Sequence, residues 1–233
     1  MKAFYLLLNL GSILFPFLFS FHSRIRFHHK FPQLFLGIGI AAIVYIGWDI
    51  PFTHLGYWGF NDTYLLGIHA GIPLEEYLFF ICIPFASLFT IHVLSSTLLK
   101  HTKGKYAHLT FRLIAALFFG VALVFYDHWY TVVSFALAAG ITLIVSLQLP
   151  PKKLAQFALG FCVVLVPFFV VNGLLTGSWI PDQVVWYNDS ENLGVRIGTI
   201  PVDDISYAWG MLLLAYGIME WKTKDDDKLE KVS

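Results

Sequence analysis

Long apolar runs, separated by polar connections, make up most of the chain. Each run is close to the roughly 20 residues that an α-helix needs to cross the hydrocarbon core of a bilayer, although the second run is somewhat short. The pattern therefore predicts an all-α integral membrane protein with seven transmembrane helices. The predicted spans are Ala3–Phe21, Gln33–Trp48, Pro73–Ser96, Thr110–Tyr126, Thr131–Leu149, Leu154–Leu175 and Ile200–Trp221.

The first apolar run has the position of a secretory signal peptide but lacks its other features. It continues to Phe21 without the small residues that form a cleavage site, and Lys2 is the only charged residue before it. We therefore interpret this run as the first membrane helix.

The composition excludes two broad classes of protein. Of the 233 residues, 58% are hydrophobic and 13% are charged, whereas a soluble domain has about 45–50% apolar and about 25% charged residues. The 15 Lys and Arg residues balance the 15 Asp and Glu residues, so no excess of positive charge is left to bind nucleic acid. Both cysteines, Cys82 and Cys162, lie in apolar runs, where a thiol behaves as a small buried hydrophobe. A soluble monomer and a nucleic-acid-binding protein are both excluded.

Positive charges are distributed unequally between the connections. Seven spans place the two termini on opposite faces of the membrane, and all of the 15 Lys and Arg residues except Lys2 and Arg196 then share one face. Cytoplasmic loops are enriched in Lys and Arg. The chain is therefore predicted to be a multi-pass cell-membrane protein with its amino terminus outside and its carboxyl terminus in the cytoplasm.

Two connections share an ordered series of motifs. In the second connection, Trp58–Asp62 is followed by Leu66–Ile68 and then by Ile72–Tyr77. The spacing of the three elements agrees between the two connections to within one residue, which indicates an internal repeat. The matching segments of the sixth connection are Trp186–Asp189, Leu193–Val195 and Ile200–Asp204.

The repeat predicts the domain organisation. Its copies lie four spans apart, an even number, so the two halves run in the same direction and are related by an axis along the membrane normal. We expect a single membrane domain over residues 1–221 and a polar cytoplasmic tail over residues 222–233. Within the domain, parallel three-helix repeats over residues 1–96 and 131–221 are joined by a linker helix over residues 110–126.

A pair of acidic residues stands near the start of the last helix of each repeat. Glu75 and Glu76 begin the third span, and Asp203 and Asp204 begin the seventh. One such pair alone would be interpreted as an ordinary helix-start feature. Two pairs at equivalent positions on one face favour a functional site, because ionisable residues are rare in membrane spans. Adjacent helical positions differ by about 100° in direction, so only one acid of each pair is expected to face the bundle centre.

Four segments of the two repeats carry the pattern of a known family. These segments are Phe52-Thr53, Gly56–Asn61, Pro73–Phe80 and Arg196–Asp204. They resemble the membrane-embedded, non-flavin lycopene cyclases, which occur as two subunits in some bacteria, as a fused chain in others and as a domain in fungi. The resemblance covers both halves of the chain. The second copy departs from the pattern at Asp203, where Glu is expected, and at Ile205-Ser206, where the family tends to be more aromatic.

The resemblance implies an isomerase (an intramolecular lyase) of carotenoid biosynthesis that cyclises the linear end groups of lycopene to β-ionone rings without redox chemistry. One carboxyl group would protonate the terminal double bond, and an opposed carboxylate would stabilise the cation or accept the ring proton; either pair could take either role. The substrate would be lycopene or a related carotenoid dissolved in membrane lipid, with no metal or other cofactor. The implied catalytic residues are Glu75, Glu76, Asp203 and Asp204, and the aromatic residues Tyr77, Phe80, Tyr207 and Trp209 either face the cation or face lipid.

Other functions fit the sequence less well. The nine His residues do not form the clusters that a membrane di-iron site needs, and the seventh span has no Lys for a retinal Schiff base. A membrane assembly subunit would not need the doubled acids. The alternative that remains is a proton-coupled transporter with the same acidic pairs as a relay, although a relay usually needs further ionisable residues near the midplane.

Overall fold

Seven α-helices make up most of residues 2–221, which are the residues that the structure describes. They are α1 (Phe4–Phe19), α2 (Phe31–Leu55), α3 (Leu74–Ser96), α4 (Ala107–Val124), α5 (Trp129–Gln148), α6 (Pro151–Leu175) and α7 (Asp203–Met219). In this computed structural model, α2 to α6 are long and apolar enough to cross a membrane, while α1 is a shorter apolar helix. The predicted all-α architecture is confirmed. The predicted tail, residues 222–233, lies outside the described residues.

Short strands occur in the α2–α3 and α6–α7 loops. They are β1 (Trp58–Phe60), β2 (His69–Ala70), β3 (Ile72–Pro73), β4 (Val185–Tyr187), β5 (Arg196–Ile197) and β6 (Ile200–Pro201). β1 pairs with β4 across the two loops, and each loop also forms a small hairpin, β2 with β3 and β5 with β6. Each hairpin turn contains a glycine with positive φ, Gly71 at 87° and Gly198 at 63°, a conformation that glycine adopts without strain.

The hairpins change the predicted starts of α3 and α7. The two apolar runs begin at Pro73 and Ile200, which predicts that Pro73 and Pro201 occupy the first helical turn. In the structure these prolines end the second strand of each hairpin, and the helices begin at Leu74 and Asp203. Each acidic pair therefore lies in the first turn of a helix that leaves a hairpin.

α2 is longer than the apolar run that predicts it. The run ends at Trp48 because Asp49 and Pro51 follow, yet the helix continues to Leu55. The side chain of Asp49 is buried, and the indole N–H of Trp58 donates a hydrogen bond of 2.8 Å to its Oδ1. A buried acid is tolerated within a helix when such a donor offsets the loss of hydration. The second predicted span therefore has 25 residues and is not short.

Helix packing follows one scheme in both halves of the chain. α1 packs on α3 as α5 packs on α7, and α2 crosses to α7 as α6 crosses to α3. α4 packs mainly on α5. α3 and α7 are therefore the central helices, each in contact with helices from both halves, and this arrangement brings the two acidic pairs to the same end of the bundle.

A buried ion cluster joins three elements at the opposite end. Glu220 directly follows α7, and its carboxylate pairs with Lys30, just before α2, and with Lys153 in the first turn of α6, where the Nζ–Oε2 distance is 2.6 Å. Two ammonium groups thus offset the negative charge of the Glu220 carboxylate. The cluster fixes the relative positions of α2, α6 and α7.

Candidate active site

A cavity of about 490 Å³ lies between α1, α3, α6 and α7. This volume falls within the roughly 300–1,000 Å³ of typical small-molecule sites. Three acids, Asp49, Glu76 and Asp204, line one end, and most of the remaining wall is apolar. Along α3 the lining extends from Glu76 to Thr90, 14 residues or about 21 Å of helix. The cavity is therefore long and apolar, with its carboxylates concentrated at one end.

The first acid of each pair holds a loop and does not line the cavity. Glu75 Oε1 accepts a hydrogen bond of 2.7 Å from the backbone N–H of Leu66, and Asp203 Oδ2 accepts one of 3.2 Å from the backbone N–H of Leu193. Thr131 Oγ1 also donates to Asp203, at 2.5 Å. Leu66 and Leu193 are matching positions of the sequence repeat, so the two acids make the same contact in both halves.

The second acid of each pair lines the cavity and is bound by a tyrosine. The Tyr5 hydroxyl in α1 donates to Glu76 Oε2 at 2.6 Å, and the Tyr130 hydroxyl in α5 donates to Asp204 Oδ1 at 2.5 Å. Tyr5, Tyr130 and both acids are buried. Because α1 packs on α3 as α5 packs on α7, the two tyrosine–carboxylate pairs occupy equivalent positions in the two halves.

The two carboxylates differ in how many donors they receive. Besides Tyr130, Asp204 accepts hydrogen bonds from Asn172 Nδ2 at 2.8 Å and from the Tyr187 hydroxyl at 3.1 Å. Within residues 2–221, the Tyr5 hydroxyl is the only side-chain donor to Glu76. Hydrogen bonds to a carboxylate favour its ionised form, whereas an apolar wall favours the neutral acid. The arrangement thus holds Asp204 in a more polar setting than Glu76.

Asp49 is a third acid of the cavity that the sequence motifs do not single out. Its Oδ1 accepts the hydrogen bond from Trp58, while its buried Oδ2 has no hydrogen-bond partner within the described residues. Only one feature of the sequence points to it, an acid that directly follows the apolar run ending at Trp48. The contact with Trp58 comes from the loop that follows α2 and is not visible in the motif spacing.

The aromatic residues singled out from the sequence lie in different places. Tyr207 lines the cavity, but Tyr77 donates its hydroxyl to the carbonyl of Ala70 in the adjacent hairpin. Phe80 is buried in the main core, and Trp209 packs on the core side of α7 with its indole N–H donating to Thr142 at 2.9 Å. The other aromatic residues that line the cavity are Tyr5, Trp58, Phe60, Phe79, Tyr130, Phe161, Phe168 and Tyr187.

The β1–β4 ribbon forms the wall of the cavity near the acids. Trp58 and Phe60 of β1 line the cavity together with Val185 and Tyr187 of β4. The strands pair antiparallel about their middle residues, Gly59 opposite Trp186. Gly59 has no space for a side chain because the indole of Trp186 occupies it.

An ion pair fixes the loop between β4 and β5. The Arg196 guanidinium binds the carboxylate of Asp189 and donates to the carbonyl of Thr199 at 2.6 Å. The hydrogen bond from Arg196 lowers the pKa of Asp189, although the Asp189 side chain is half exposed. The pair holds the loop against the hairpin that precedes α7.

No group of three or more His, Cys, Asp or Glu side chains within residues 2–221 has the geometry of a metal site. The donor set at the acid end of the cavity consists of carboxylates, phenols and one amide. These groups are suited to donating, accepting and stabilising protons.

Comparison with protein families identifies the chain. The family model for lycopene cyclase matches residues 2–94 and 127–222, two segments that include α1–α3 and α5–α7 and leave out α4. Comparisons with curated proteins and with solved structures gave no match. The two matched segments cover most of the chain and contain both acidic pairs, and the chain therefore belongs to the lycopene cyclase family.

Proposed function

We propose that this protein cyclises the linear end groups of lycopene to β-ionone rings by proton transfer from and to the carboxylates of its cavity. The observation that carries the proposal is the pairing of two differently hydrogen-bonded acids, Glu76 and Asp204, at one end of a long apolar cavity. The family match supports an enzyme that acts on a carotenoid. It lends no support to the proton-coupled transporter.

The proposed membrane arrangement uses all seven helices. The parallel repeats over residues 1–96 and 131–221 form one domain over residues 1–221, with the helix predicted over residues 110–126 as the linker. The matching packing of α1 on α3 and of α5 on α7 supports this arrangement, as does the family match to two segments on either side of α4. With the amino terminus outside and the tail in the cytoplasm, the acids lie near the outer surface and the Glu220 cluster near the inner one.

We assign the first proton transfer to Glu76. Its carboxyl group receives one hydrogen bond and borders an apolar wall, conditions that favour the neutral acid and its use as a donor. The proton adds to the terminal double bond of the substrate and leaves a tertiary carbocation. The next double bond attacks this carbon, closes the six-membered ring and transfers the positive charge into the ring.

We assign to Asp204 the stabilisation of the positive charge that then develops in the ring. Three donors stabilise its carboxylate, and the carboxylate in turn stabilises the ring cation and accepts the proton lost from the ring. One proton enters and one leaves, so the reaction needs no oxidant or reductant and is an isomerisation. Proton exchange between Asp204 and Glu76 then restores the starting state, with Asp49 beside them as a third carboxylate of the same cavity.

The remaining predicted residues act indirectly in this proposal. Glu75 and Asp203 position the loops above the acids, and Tyr207 presents its ring at the cavity wall, where an aromatic face stabilises a cation. Tyr77, Phe80 and Trp209 support the helix starts and the core.

Pigment analysis of a lycopene-accumulating host that expresses this chain tests the proposal. Wild-type protein is expected to produce cyclic carotenoids, and purified protein that converts preformed lycopene in deuterated water is expected to place one deuterium in each new ring. The Glu75→Gln variant is the matched control for Glu76→Gln, because the two acids are adjacent and only Glu76 lines the cavity. Unchanged lycopene with the protein present in the membrane would contradict the proposal.

A further inference from the structure

The cavity between α1, α3, α6 and α7 has a counterpart in the other half of the molecule. If α1, α3, α6 and α7 are replaced by their equivalents α5, α7, α2 and α3, the counterpart lies between these four helices. Tyr5 and Tyr130 fix the equivalence of α1 with α5, and Glu76 and Asp204 fix that of α3 with α7.

Lysines fix the equivalence of α2 with α6. Lys30 and Lys153 both stand at the start of their helices and bind the same carboxylate. Asp49 lies 19 residues after Lys30, and Asn172 lies 19 residues after Lys153, so the two positions match. Both of these side chains line the cavity beside the acids. Positions in the two compartments can therefore be compared one by one.

Small residues of the cavity correspond to larger ones in the counterpart. Ser12 of α1 and Ala86 of α3 line the cavity. Their equivalents, counted from the tyrosines and from the acids, are Leu137 and Leu214, and both leucines pack against the main core. The counterpart thus loses space on two of its helices.

Aromatic side chains of α2 also project into the counterpart. Tyr45 and Trp48 of α2 replace Phe168 and Val171 of α6 at the matching positions, and Tyr207 lies against both of them. The ring centroids of Tyr45 and Tyr207 are 4.8 Å apart, and those of Trp48 and Tyr207 are 5.3 Å apart. Tyr45 is fully buried. Within residues 2–221, the counterpart is a packed aromatic cluster where the first compartment is a cavity.

The cavity also opens sideways towards the lipid. Leu7 of α1 and Val170 of α6 both line it, yet their exposed fractions are 64% and 49%. α1 and α6 both pack on α3 and both line the cavity. A long hydrocarbon can pass between these two helices from the bilayer to the acids.

We infer that the space between α1 and α6 is the single substrate channel, which admits one end of the carotenoid at a time, so that a second ring forms only after the one-ring product leaves and returns with its other end first. This inference rests on the proposed function. The conjugated chain of the substrate is stiff and linear, so its two ends cannot reach the same acids together. The packed cluster of Tyr45, Trp48 and Tyr207 closes the equivalent path in the other half.

An isotope chase in lipid vesicles tests the inference. Purified protein is given labelled lycopene, and an excess of unlabelled one-ring carotenoid is added once labelled one-ring product has formed. The inference predicts that the excess suppresses labelled two-ring product in proportion to the dilution. A one-ring carotenoid that is never converted further, even when it is supplied in excess, would overturn the return step. Labelled two-ring product that forms at an undiminished rate would overturn it.

Channel variants provide a second test. Ser12→Leu combined with Ala86→Leu gives the channel the residues of the packed half, and we expect lycopene turnover to fall at least about tenfold because the end group no longer reaches the acids. Leu14→Phe is the control, since Leu14 is exposed on α1 and does not line the cavity. If the double variant is poorly folded, the smaller change Ala86→Val takes its place, and we expect it to give an intermediate loss of turnover. Full turnover in a folded double variant would contradict the channel.

The outcomes separate this inference from the proposed function. If wild-type protein in vesicles forms no cyclic product, both fail. If it forms rings but the chase has no effect, only the single channel fails, and the assignment of the acids remains.

Discussion

The Glu76 and Asp204 sites are built on the same scaffold but provide different environments. Each acid lies in the first turn of a central helix, follows an acid that holds a loop, and receives a tyrosine hydroxyl from a neighbouring helix. Asn172 and Tyr187 add two donors at Asp204 only. In the proposed mechanism these two similar sites act as one acid and one base, because the hydrogen bonds to each carboxyl group decide which of them keeps its proton.

The largest expected effect comes from removing either acid. Glu76→Gln and Asp204→Asn should each lower cyclisation by at least about 100-fold, since proton transfer by a positioned group contributes about 10²–10⁴-fold. Product formation per unit of membrane-inserted protein measures the effect. Near-normal activity in either variant would show that Glu76 and Asp204 do not act as proton donor and proton acceptor as proposed.

A smaller effect is expected when the donors of Asp204 are removed. Tyr187→Phe and Asn172→Leu should each lower the rate roughly tenfold, because one lost hydrogen bond to a charged group costs about 1.5–3 kcal/mol and part of this loss is offset by the remaining donors. Rates measured in vesicles check this expectation. Wild-type rates in both variants would contradict the role of these two donors at Asp204.

Adding a hydrogen-bond donor near Glu76 should make the two sites more alike. Phe60 precedes Asn61-Asp62 as Tyr187 precedes Asn188-Asp189 in the sequence repeat, and both residues line the cavity, so Phe60→Tyr is designed to offer Glu76 a second hydroxyl donor. We expect a rate several-fold lower than that of wild type, since an extra donor favours the ionised form of the intended acid. The matched control is Phe161→Tyr, which adds a hydroxyl to the cavity wall about three turns of α6 away from Asn172. Equal rates for all three proteins would contradict this interpretation.

Removing a loop-holding acid should affect stability more than chemistry. Glu75→Leu leaves the backbone N–H of Leu66 without its acceptor, which should cost about 1–3 kcal/mol of folding free energy. Thermal unfolding in detergent measures this loss. Turnover per folded molecule should change far less than in Glu76→Gln, and a loss of equal size would place Glu75 in the chemistry.

The smallest effect is expected at the surface ion pair of the second half. Arg196→Gln removes the partner of Asp189 and should change stability by less than about 1 kcal/mol, because such exposed pairs contribute little. The pKa of Asp189 is lowered by Arg196, so the contribution is present at neutral pH and is lost as the pH falls through that lowered pKa. The difference in melting temperature between wild type and variant should therefore decrease in acid to the part that comes from the hydrogen bond between Arg196 and the Thr199 carbonyl. A difference that stays undiminished in acid would show that the ion pair is not its source.

The helices and the acidic pairs could be predicted from the sequence because they depend on local signals. Apolar runs of membrane length predict helices wherever they occur, and the motif spacing locates the two acidic pairs, although it does not predict which acid of each pair lines the cavity. The length of α2 could not be predicted in this way. Asp49 interrupts the apolar pattern, and the hydrogen bond from Trp58 that offsets its burial comes from the loop after the helix.

The donors and the aromatic wall depend on contacts between distant parts of the chain. Tyr5 and Tyr130 are far in sequence from the acids that they bind, and neither belongs to a motif. Tyr77 and Trp209 lie close to the acids in sequence but point to a hairpin and to the core, because helical residues near one another face different directions. Closeness in sequence to the acids therefore does not predict which aromatic side chains line the cavity.

The infrared spectrum of the purified protein tests the central difference most directly. A protonated carboxyl group in an apolar site has a carbonyl absorption that is separate from that of a carboxylate. The account predicts that Glu76→Gln removes such an absorption and that Asp204→Asn leaves it in place and removes a carboxylate absorption instead. The opposite pattern would contradict the assignment of Glu76 as the proton donor and of Asp204 as the carboxylate that stabilises the cation.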